Sequence, residues 1–316
     1  MKFVVAGALG HIGSKLIREL GESYPGSEIV MIDNLITQRY CSLFNLPETS
    51  NYNFIEKNIL DCDLPEILEG SNMIFQLAAI TDATSSFENK EKVEQNNFYT
   101  TKKIAEACCN AKVPLVHLSS TSVYGTQKNI VDEFCTEEEL QPQSPYAETK
   151  LREEKLLQRL ALEKDLKFIT LRFGTICGVS SGMRFHTAIN KFCWQAVMNQ
   201  PLTVWETALH QKRPYLTLED AMLSFKLIIN RQLFDCQVYN ILTANLTVND
   251  IIESIKKHTN DLNIEFVVSK IMNQLSYEVS RKRIEDKGFT FVGSIDKAVS
   301  DTINILKGAN FKRFHL

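Results

Sequence analysis

Short runs of apolar residues alternate with longer segments of mixed polarity through the first half of the chain. Runs of this kind are typical of β-strands that are buried on both faces of a parallel sheet. Strands are predicted at residues 2–6, 28–32, 53–57, 73–76, 115–118 and 168–171, and helical stretches near residues 64–69, 90–110 and 145–164. This alternation predicts an α/β fold, a doubly wound parallel sheet that binds its ligand across the carboxyl edge of the strands.

A glycine-rich turn follows the first predicted strand directly. Gly7, Gly10 and Gly13 are spaced three apart, and a helical pattern continues after them. Such glycines allow a tight turn and a close approach of backbone to a pyrophosphate at the helix N-terminus. Asp33 ends the next apolar run, where a carboxylate binds both hydroxyls of an adenosine ribose and repels a 2′-phosphate. The pattern therefore favours NAD over NADP, the alternative being a glycine loop with an unrelated acid.

A second motif, SPYAETK at residues 144–150, stands at the start of the helical stretch predicted at residues 145–164. Tyr146 and Lys150 are four residues apart and lie on the same helix face. A free tyrosine has a pKa of about 10, and lowering it to about 7 takes roughly 4 kcal/mol. One ammonium about 4 Å away supplies that much at an effective dielectric constant of about 20. The pair therefore makes a candidate general base, although Tyr-x-x-x-Lys is also common on surface helices.

Composition narrows the choice of function. The 35 basic and 38 acidic residues give a net charge of −3, which offers no support for nucleic-acid binding. No apolar run approaches the length of a membrane span, and the eight cysteines show neither C-x-x-C nor zinc spacing. We therefore expect a cytoplasmic protein with reduced thiols, no metal site and no membrane partner.

These motifs together resemble the extended short-chain dehydrogenase/reductase family, the NAD-dependent nucleotide-sugar epimerases and dehydratases, in particular UDP-galactose 4-epimerase. The resemblance is strong over residues 2–178 and looser beyond. It rests on Gly7-x-x-Gly10-x-x-Gly13, Asp33-Asn34, Asn58-Ile59, Leu77-Ala78-Ala79, Asn97, Ser119-Ser120-Thr121-Ser122-Val123-Tyr124-Gly125 and Tyr146-x-x-x-Lys150. It implies a Rossmann domain over residues 1–178, with a chain return near 214–243, and a smaller, mainly substrate-binding C-terminal domain over residues 179–316.

The resemblance also implies roles for the residues of the cofactor site. Asp33 and Asn34 would hold the adenosine ribose, and Asn58 with Ile59 would hold the adenine. Lys150 would bind the nicotinamide ribose. The remaining cofactor contacts would come from Gly7, Gly10, His11, Ile12 and Gly13 in the turn, from Leu77, Ala78 and Ala79 at the pyrophosphate and ribose, and from Asn97, Ser119 and Tyr146.

By the same resemblance, Ser120, Tyr146 and Lys150 would be the catalytic residues. Tyr146 as phenolate would remove the proton of a sugar hydroxyl while hydride leaves the same carbon for NAD, and Ser120 would hydrogen-bond that oxygen. Tyr124 and Arg172 are expected to be structural. The candidates for substrate contacts are Thr121, Thr175, Arg184, His186, Asn190 and Arg213, of which Arg213 resembles the arginine that clamps a substrate diphosphate.

One departure from the family pattern bears on the reaction. Thr121 and Ser122 stand where the sugar 4,6-dehydratases have an acidic pair, which protonates the leaving hydroxyl and assists proton removal. A second departure concerns the substrate: Thr175 replaces a frequent asparagine that contacts it in the family. We therefore expect oxidation at C4 of a nucleotide-linked sugar, by a 4-epimerase or by a 4-dehydrogenase that gives a 4-keto sugar. The alternatives are a 4,6-dehydratase and a non-catalytic NAD-binding regulator.

The resemblance further implies a homodimer that pairs the helices predicted at residues 90–110 and 145–164, and a role in carbohydrate biosynthesis.

Overall fold

Seven parallel strands form the central sheet of the computed structural model, which describes residues 1–81, 90–125, 130–136, 138–259, 262–267 and 276–309. The strands are β1 (Lys2–Ala6), β2 (Glu28–Asp33), β3 (Asn51–Glu56), β4 (Met73–Gln76), β5 (Leu115–Ser120), β6 (Ile130–Val131), β7 (Phe168–Phe173), β8 (Thr175–Cys177), β9 (Leu202–Trp205), β10 (Arg213–Thr217), β11 (Val238–Ile241), β12 (Ala244–Leu246), β13 (Ile264–Val267) and β14 (Glu278–Val279). The helices are α1 (His11–Ser23), α2 (Leu64–Leu68), α3 (Lys90–Ala111), α4 (Pro145–Lys164), α5 (Ala188–Val197), α6 (Leu218–Arg231), α7 (Val248–Lys256), α8 (Lys282–Glu285) and α9 (Ile295–Leu306).

The order of strands in the central sheet reverses next to β1. Across the sheet the order is β11-β7-β5-β4-β1-β2-β3, and β1 pairs in parallel with both β2 and β4. The chain runs outward from β1 to β3 and then crosses back to β4. Open α/β sheets bind ligands outside the carboxyl ends of the strands at such a reversal. The predicted doubly wound parallel sheet is confirmed.

Both faces of the central sheet are buried, as the apolar runs predict. Phe3 and Val5 of β1 join a core cluster with residues of α1 and α6. Val4 and Ala6 join a second cluster with residues of α3 and α4 on the other face. Because successive side chains of a strand point to opposite faces, every one of these four positions is apolar.

A third core lies in the C-terminal part of the chain, where α5, α7 and α9 pack together with β9 and β10. The chain returns to the central sheet through α6 and β11, within the predicted range 214–243. β10 does not take part in that return. It pairs with β8 and β12 in a separate three-stranded sheet, because β8 directly follows β7 and leads the chain away from the central sheet.

The helix α5 begins at Ala188 and ends at Val197. The preceding segment is held by specific contacts instead of helical hydrogen bonds. Gly182 N donates to Ser14 Oγ at 2.8 Å, and the Asn190 amide donates to Arg184 O at 3.0 Å. These contacts fix the segment against the start of α1.

A buried ion pair joins α4 to β7. Arg172 donates to both carboxylate oxygens of Glu154, at 3.0 and 2.6 Å, and its remaining terminal nitrogen donates to Tyr124 OH at 2.8 Å. Tyr124 OH in turn donates to Asn240 Oδ1. The structural roles predicted for Tyr124 and Arg172 agree with these contacts.

Two further findings concern partners. None of the helices in the described part of the chain is long and apolar enough to cross a membrane. Within the same residues, no group of three or more His, Cys, Asp or Glu side chains could hold a metal ion.

We predict that Arg172→Met lowers the free energy of unfolding by about 3–5 kcal/mol, because it leaves the Glu154 carboxylate buried without its countercharge. The double variant Arg172→Met/Glu154→Leu should lose clearly less, because no charge remains uncompensated. Urea denaturation of both variants measures the difference. Lys167→Met, which removes an exposed ion pair with Asp165, serves as a control with little expected effect. A double variant as unstable as the single one would contradict this account.

Candidate active site

The turn after β1 packs so closely against neighbouring backbone that two glycines have no room for a side chain. Gly7 has a φ of +77°, and a Cβ built on it would lie 2.6 Å from Ala78 N. A Cβ on Gly13 would lie 2.2 Å from Gly7 O. The helix α1 therefore begins directly at the turn, and its N-terminus, with its partial positive charge, faces the cleft.

A cleft with a volume of about 360 Å³ opens at the carboxyl edge of the sheet. This size lies in the range of small-molecule sites. The predicted site residues that line it are Gly7, Gly10, His11, Ile12, Gly13, Leu77, Ala79, Ser119, Ser120, Thr121, Tyr146, Lys150, Thr175, Arg184 and Arg213. The predicted residues outside its lining are Asp33, Asn34, Asn58, Ile59, Ala78, Asn97, His186 and Asn190.

Asp33 lies at the end of β2, directly beside the glycine turn. Its carboxylate accepts hydrogen bonds from Leu9 N at 3.1 Å and from Leu35 N at 3.0 Å. These two bonds fix the orientation of the carboxylate. Both carboxylate oxygens have further lone pairs, so the group can also accept from ribose hydroxyls.

The other predicted adenosine contacts have mainly local partners. The exposed Asn34 accepts from Ile36 N at 3.2 Å. Asn58 caps the short turn of residues 59–61, because its Oδ1 accepts from Leu60 N at 3.0 Å. The Asn58 acceptor oxygen keeps a second lone pair after this bond, and Ile59 is buried. Adenine contacts of Asn58 and Ile59 stay a prediction.

Ser120 ends β5 and caps the turn that follows. Its Oγ accepts from Ser122 N at 3.1 Å and contacts Ser122 Oγ at 2.9 Å. The strand pairs with β7 up to its last residue, with Ser120 opposite Phe173. The hydroxyl is therefore held at the carboxyl edge of the sheet.

Tyr146 and Lys150 are presented to the same cleft by the first turns of α4. Ser144 caps this helix, because its Oγ accepts from Ala147 N at 3.2 Å, and Pro145 occupies the first turn. Tyr146 is half-buried, whereas Lys150 is only 3% exposed and donates to Glu153 Oε2 at 2.8 Å. Burial alone lowers the pKa of Lys150, but the Glu153 carboxylate and Tyr146 raise it above its ordinary value. Lys150 is thus an ammonium at neutral pH.

Asn97 and Ser119 make hydrogen bonds that hold neighbouring segments in place around the cleft. The fully buried Asn97 accepts from Ile80 N at 2.8 Å and donates to Ile80 O at 3.0 Å, which holds the segment after β4 in place. The hydroxyl of Ser119 donates to Glu154 and so belongs to the ion pair behind the sheet edge. Direct cofactor contacts of these two residues stay predictions.

The far end of the cleft carries the candidates for substrate contacts. Thr175 begins β8, and Arg213 begins β10 with its guanidinium over the ring of Tyr277, 5.4 Å from the centroid. Tyr277 OH donates to Thr121 O at 3.3 Å and so fixes the turn after β5. Arg184 donates to Thr81 Oγ1.

Asn190 lies behind this wall and not in it. Its amide is fully buried, accepts from Gly178 N at 3.3 Å and donates to Arg184 O at 3.0 Å. Because both ends of the amide are used in this way, its geometry supports a positioning contact and not the predicted contact with substrate. His186 is exposed outside the lining, and its predicted substrate contact is likewise without support here.

His11 is a neutral imidazole at the start of α1. Its Nδ1 lies 2.8 Å from Ser180 Oγ, and the Asn190 amide approaches Nε2 at 3.5 Å. Burial lowers the pKa of His11 to about 3, with Arg184 and Arg39 adding to the effect. The positive character of this end of the cleft therefore comes from the arginines and the helix N-terminus.

Comparison with known proteins identifies the family of this chain. Residues 3–241, which is most of the chain, match the family model described as the NAD dependent epimerase/dehydratase family. The chain belongs to this family.

It is accordingly an NAD-dependent enzyme, as predicted. An uncharacterized UDP-glucose epimerase of Bacillus subtilis is 31% identical over 81% of this chain and 82% of its own length. A trifunctional UDP-glucose 4,6-dehydratase/UDP-4-keto-6-deoxy-D-glucose 3,5-epimerase/UDP-4-keto-L-rhamnose-reductase of Arabidopsis thaliana is 30% identical over 91% of this chain. The match spans only 44% of that plant protein.

Among solved structures, the UDP-glucuronic acid 4-epimerase of Bacillus cereus in complex with UDP-glucuronic acid and NAD is similar over 98% of this chain and 99% of its own. The TM-score is 0.87 at 25% sequence identity.

The geometry of the epimerase/dehydratase site fits NAD. Gly7 and Gly13 let the turn pack tightly against neighbouring backbone while it lines the cleft, so backbone can approach a pyrophosphate there, and the N-terminus of α1 supplies partial positive charge. The carboxylate of Asp33 is held at the end of β2 beside this turn, and its contact with the adenosine ribose of such a cofactor stays a prediction.

Sequence reasoning missed some residues of the cleft. Arg39, Gln76 and Tyr277 all line it. Arg39 follows the exposed turn after β2, and burial lowers its pKa while Asp33 acts in the opposite direction. Tyr277 lies far along the chain and comes to the cleft through tertiary contacts, among them the pairing of β14 with β6 and the hydrogen bonds of Asn245 with Val279. A basic residue within a few positions of Asp33 was a usable signal, whereas nothing local marked Tyr277.

We predict that the enzyme binds NAD at least about tenfold more tightly than NADP, because a 2′-phosphate would meet the Asp33 carboxylate. Asp33→Asn, which keeps the shape and removes the charge, should narrow this ratio. Isothermal titration calorimetry with both cofactors measures it, and the melting temperature checks that the variant is folded. Equal affinities in the unchanged enzyme would remove the ribose role of Asp33.

Proposed function

We propose that this enzyme oxidises a nucleotide-linked sugar at C4, as a 4-epimerase or as a 4-dehydrogenase that gives a 4-keto sugar. One observation carries the proposal: Ser120, Tyr146 and Lys150 line the same cleft as the glycine turn, and no Asp or Glu is found among the described residues that line it. The first part supports oxidation of an alcohol at the nicotinamide. The second part argues against dehydration.

The roles follow from the chemistry of each side chain. Tyr146 removes the proton of the C4 hydroxyl, and Lys150 stabilises the phenolate and binds the nicotinamide ribose. Ser120 donates a hydrogen bond to the sugar oxygen, which its hydroxyl can do while it accepts from Ser122. NAD, when bound, supplies the hydride chemistry at C4. The side chains thus hold the reacting oxygen between a base and a donor.

A dehydratase needs an acid for the leaving hydroxyl and a base for the proton at C5. Thr121 and Ser122 have neither property at neutral pH, and Tyr146 is engaged at C4. The nearest carboxylates along the chain have other partners: Asp132 accepts from Phe134 N at 2.9 Å, and Glu133 accepts from Asn240 N at 2.6 Å. The named activity of the plant relative makes dehydration the runner-up.

Substrate binding is proposed for the C-terminal part of the chain, residues 179–316, with residues 1–178 as the NAD-binding domain. Arg213 is suited to a substrate diphosphate, because it lines the cleft and its guanidinium is stacked on Tyr277. Thr121, Thr175 and Arg184 line the neighbouring wall and complete the proposed sugar site.

A homodimer formed through α3 and α4 is also proposed. The two helices pack against each other, and both expose apolar side chains, with Tyr99 47% and Leu162 89% exposed. A cytoplasmic location and a role in carbohydrate biosynthesis stay predictions.

We predict that Tyr146→Phe lowers kcat by about 10²–10⁴-fold with little change in substrate affinity, because it removes the general base and leaves the ring. Tyr277→Phe is the matched control in the same cleft. Burial raises the pKa of Tyr277, so its hydroxyl stays protonated, and its loss should cost less than about tenfold. Steady-state kinetics of both variants gives the comparison, and near-native turnover of Tyr146→Phe would refute the mechanism.

We also predict that the reaction proceeds without loss of water. The purified enzyme is incubated with UDP-, GDP-, dTDP- and CDP-sugars, and the products are analysed by mass spectrometry. Products should have the mass of the substrate after epimerisation, or be two hydrogens lighter after oxidation. Tyr146→Phe serves as the negative control. A product lighter by one water, formed with the enzyme's own NAD, would reinstate the dehydratase, and no turnover of any sugar would favour the non-catalytic regulator.

A further inference from the structure

A chain of buried polar side chains extends from Lys150 into the centre of the protein. Lys150 Nζ donates to Glu153 Oε2 at 2.8 Å, and His117 Nε2 lies 2.8 Å from the same oxygen. His117 Nδ1 lies 3.3 Å from Thr170 Oγ1. Glu153, His117 and Thr170 are completely buried, so α4, β5 and β7 each contribute one member of a chain that solvent does not reach.

The proton positions in this chain follow from the donors and acceptors. A carboxylate only accepts, so His117 Nε2 carries the proton that it donates to Glu153. Nδ1 then accepts from the Thr170 hydroxyl, and the imidazole is neutral. Burial lowers the pKa of His117, which agrees with this state. Burial raises the pKa of Glu153, but Lys150 and His117 outweigh this effect and bring the pKa below its ordinary value, so Glu153 is ionised.

The titratable groups that face Lys150 come from two elements. On α4 they are Tyr146, Glu153 and Glu154. On β5 it is His117, which is neutral. Glu154 is already paired with Arg172 of β7 at 2.6 Å, so its charge is compensated locally. Glu153 is therefore the counterion of Lys150.

Glu153 is placed asymmetrically with respect to the catalytic pair. It touches the ammonium directly, whereas Tyr146 lies seven residues back on the same helix, about 10 Å along its axis, with Lys150 between them. An anion in this position stabilises the charged lysine much more than it destabilises a tyrosine phenolate.

This asymmetry matters because Tyr146 and Lys150 lie on the same face of α4 and interact electrostatically, so that a proton can leave the pair from either side chain. The pair can lose one proton in two ways. One gives phenolate and ammonium, which is the active base; the other gives phenol and neutral amine, which is inactive. An anion against the lysine favours the first state over the second.

We propose that Glu153, held by His117, is a positioning residue that keeps the proton on Lys150, so that the proton given up by the pair is the one on Tyr146. The inference rests on the proposed role of Tyr146 as the base. It gives Glu153 and His117 a part in the reaction, although neither touches the cleft.

The test uses Glu153→Gln, which keeps the shape and removes the charge, and Glu153→Asp, which keeps the charge. The tyrosinate ultraviolet absorbance of the NAD-bound enzyme is titrated with pH. For each protein the same variant carrying Tyr146→Phe is subtracted, which isolates the signal of Tyr146. No sugar substrate is needed, so this result stands apart from whether the enzyme turns over nucleotide sugars.

Two changes are expected together in Glu153→Gln. The midpoint of the first step moves to lower pH, because removal of a buried anion makes the loss of a proton from the pair easier. The tyrosinate amplitude of that step falls, because part of the pair now ionises at the lysine, and the missing tyrosinate appears only in a second step at higher pH. Glu153→Asp should retain the single step.

The second readout is the steady-state kinetics of both variants on a nucleotide sugar that the unchanged enzyme turns over. In Glu153→Gln the plateau kcat should fall by the same fraction as the tyrosinate amplitude, because only the phenolate and ammonium state is active; a shift of about 1.4 kcal/mol changes the ratio of the two states tenfold. KM should change little, and the rising limb of the pH–rate profile should move to lower pH. A purely structural role would lower the melting temperature and leave the midpoint where it is.

The proposal is overturned if folded Glu153→Gln shows the unchanged midpoint and the full tyrosinate amplitude. Should that variant fail to fold, Glu153→Met takes its place, because it removes the carboxylate without setting an amide against Lys150. The same two changes are expected, and their absence has the same meaning.

Discussion

Close packing of backbone around the glycine turn is the constraint on which the rest of the site depends. Three segments meet there: the turn itself, the end of β4, and the loop that precedes α5. A Cβ on Gly7 would collide with Ala78, and one on Gly182 would lie 2.3 Å from Leu9 O. Because none of the three can move away without opening the others, the cleft receives a fixed floor of backbone and the N-terminus of α1.

Two neighbouring carboxylates on α4 divide the electrostatic work behind the cleft. Glu154 pairs with Arg172 and ties the helix to β7. Glu153 pairs with Lys150 and so compensates the positive charge of the lysine that lines the cleft. Each of these two buried carboxylates has its own counterion, which is the condition under which such charges are tolerated in a protein interior. The helix that carries Tyr146 is thereby fixed to the sheet at the residues that follow the catalytic pair.

The same frame serves relatives named as epimerases and as dehydratases. Oxidation at C4 needs only a base, a donor and the nicotinamide site, and these come from strand ends and one helix. We expect a few side chains on the turn after β5 to distinguish the two reactions. The Thr121 hydroxyl donates to Phe173 O at 3.3 Å, so the polar group at this position holds the wall of the cleft together.

The sequence by itself determined the sheet, the glycine turn, Asp33 and the helix that presents Tyr146 and Lys150, because each depends on short-range patterns: apolar runs, a cap and residue spacing. Only the tertiary structure decided what surrounds them. Tyr277 reaches the cleft through a strand pairing nearly 150 residues away in sequence, between β14 and β6. The contact of His117 with Glu153 joins β5 to α4, and no local pattern in the sequence links these two residues. Such contacts depend on how the elements pack together, and this information is absent from any single segment of the chain.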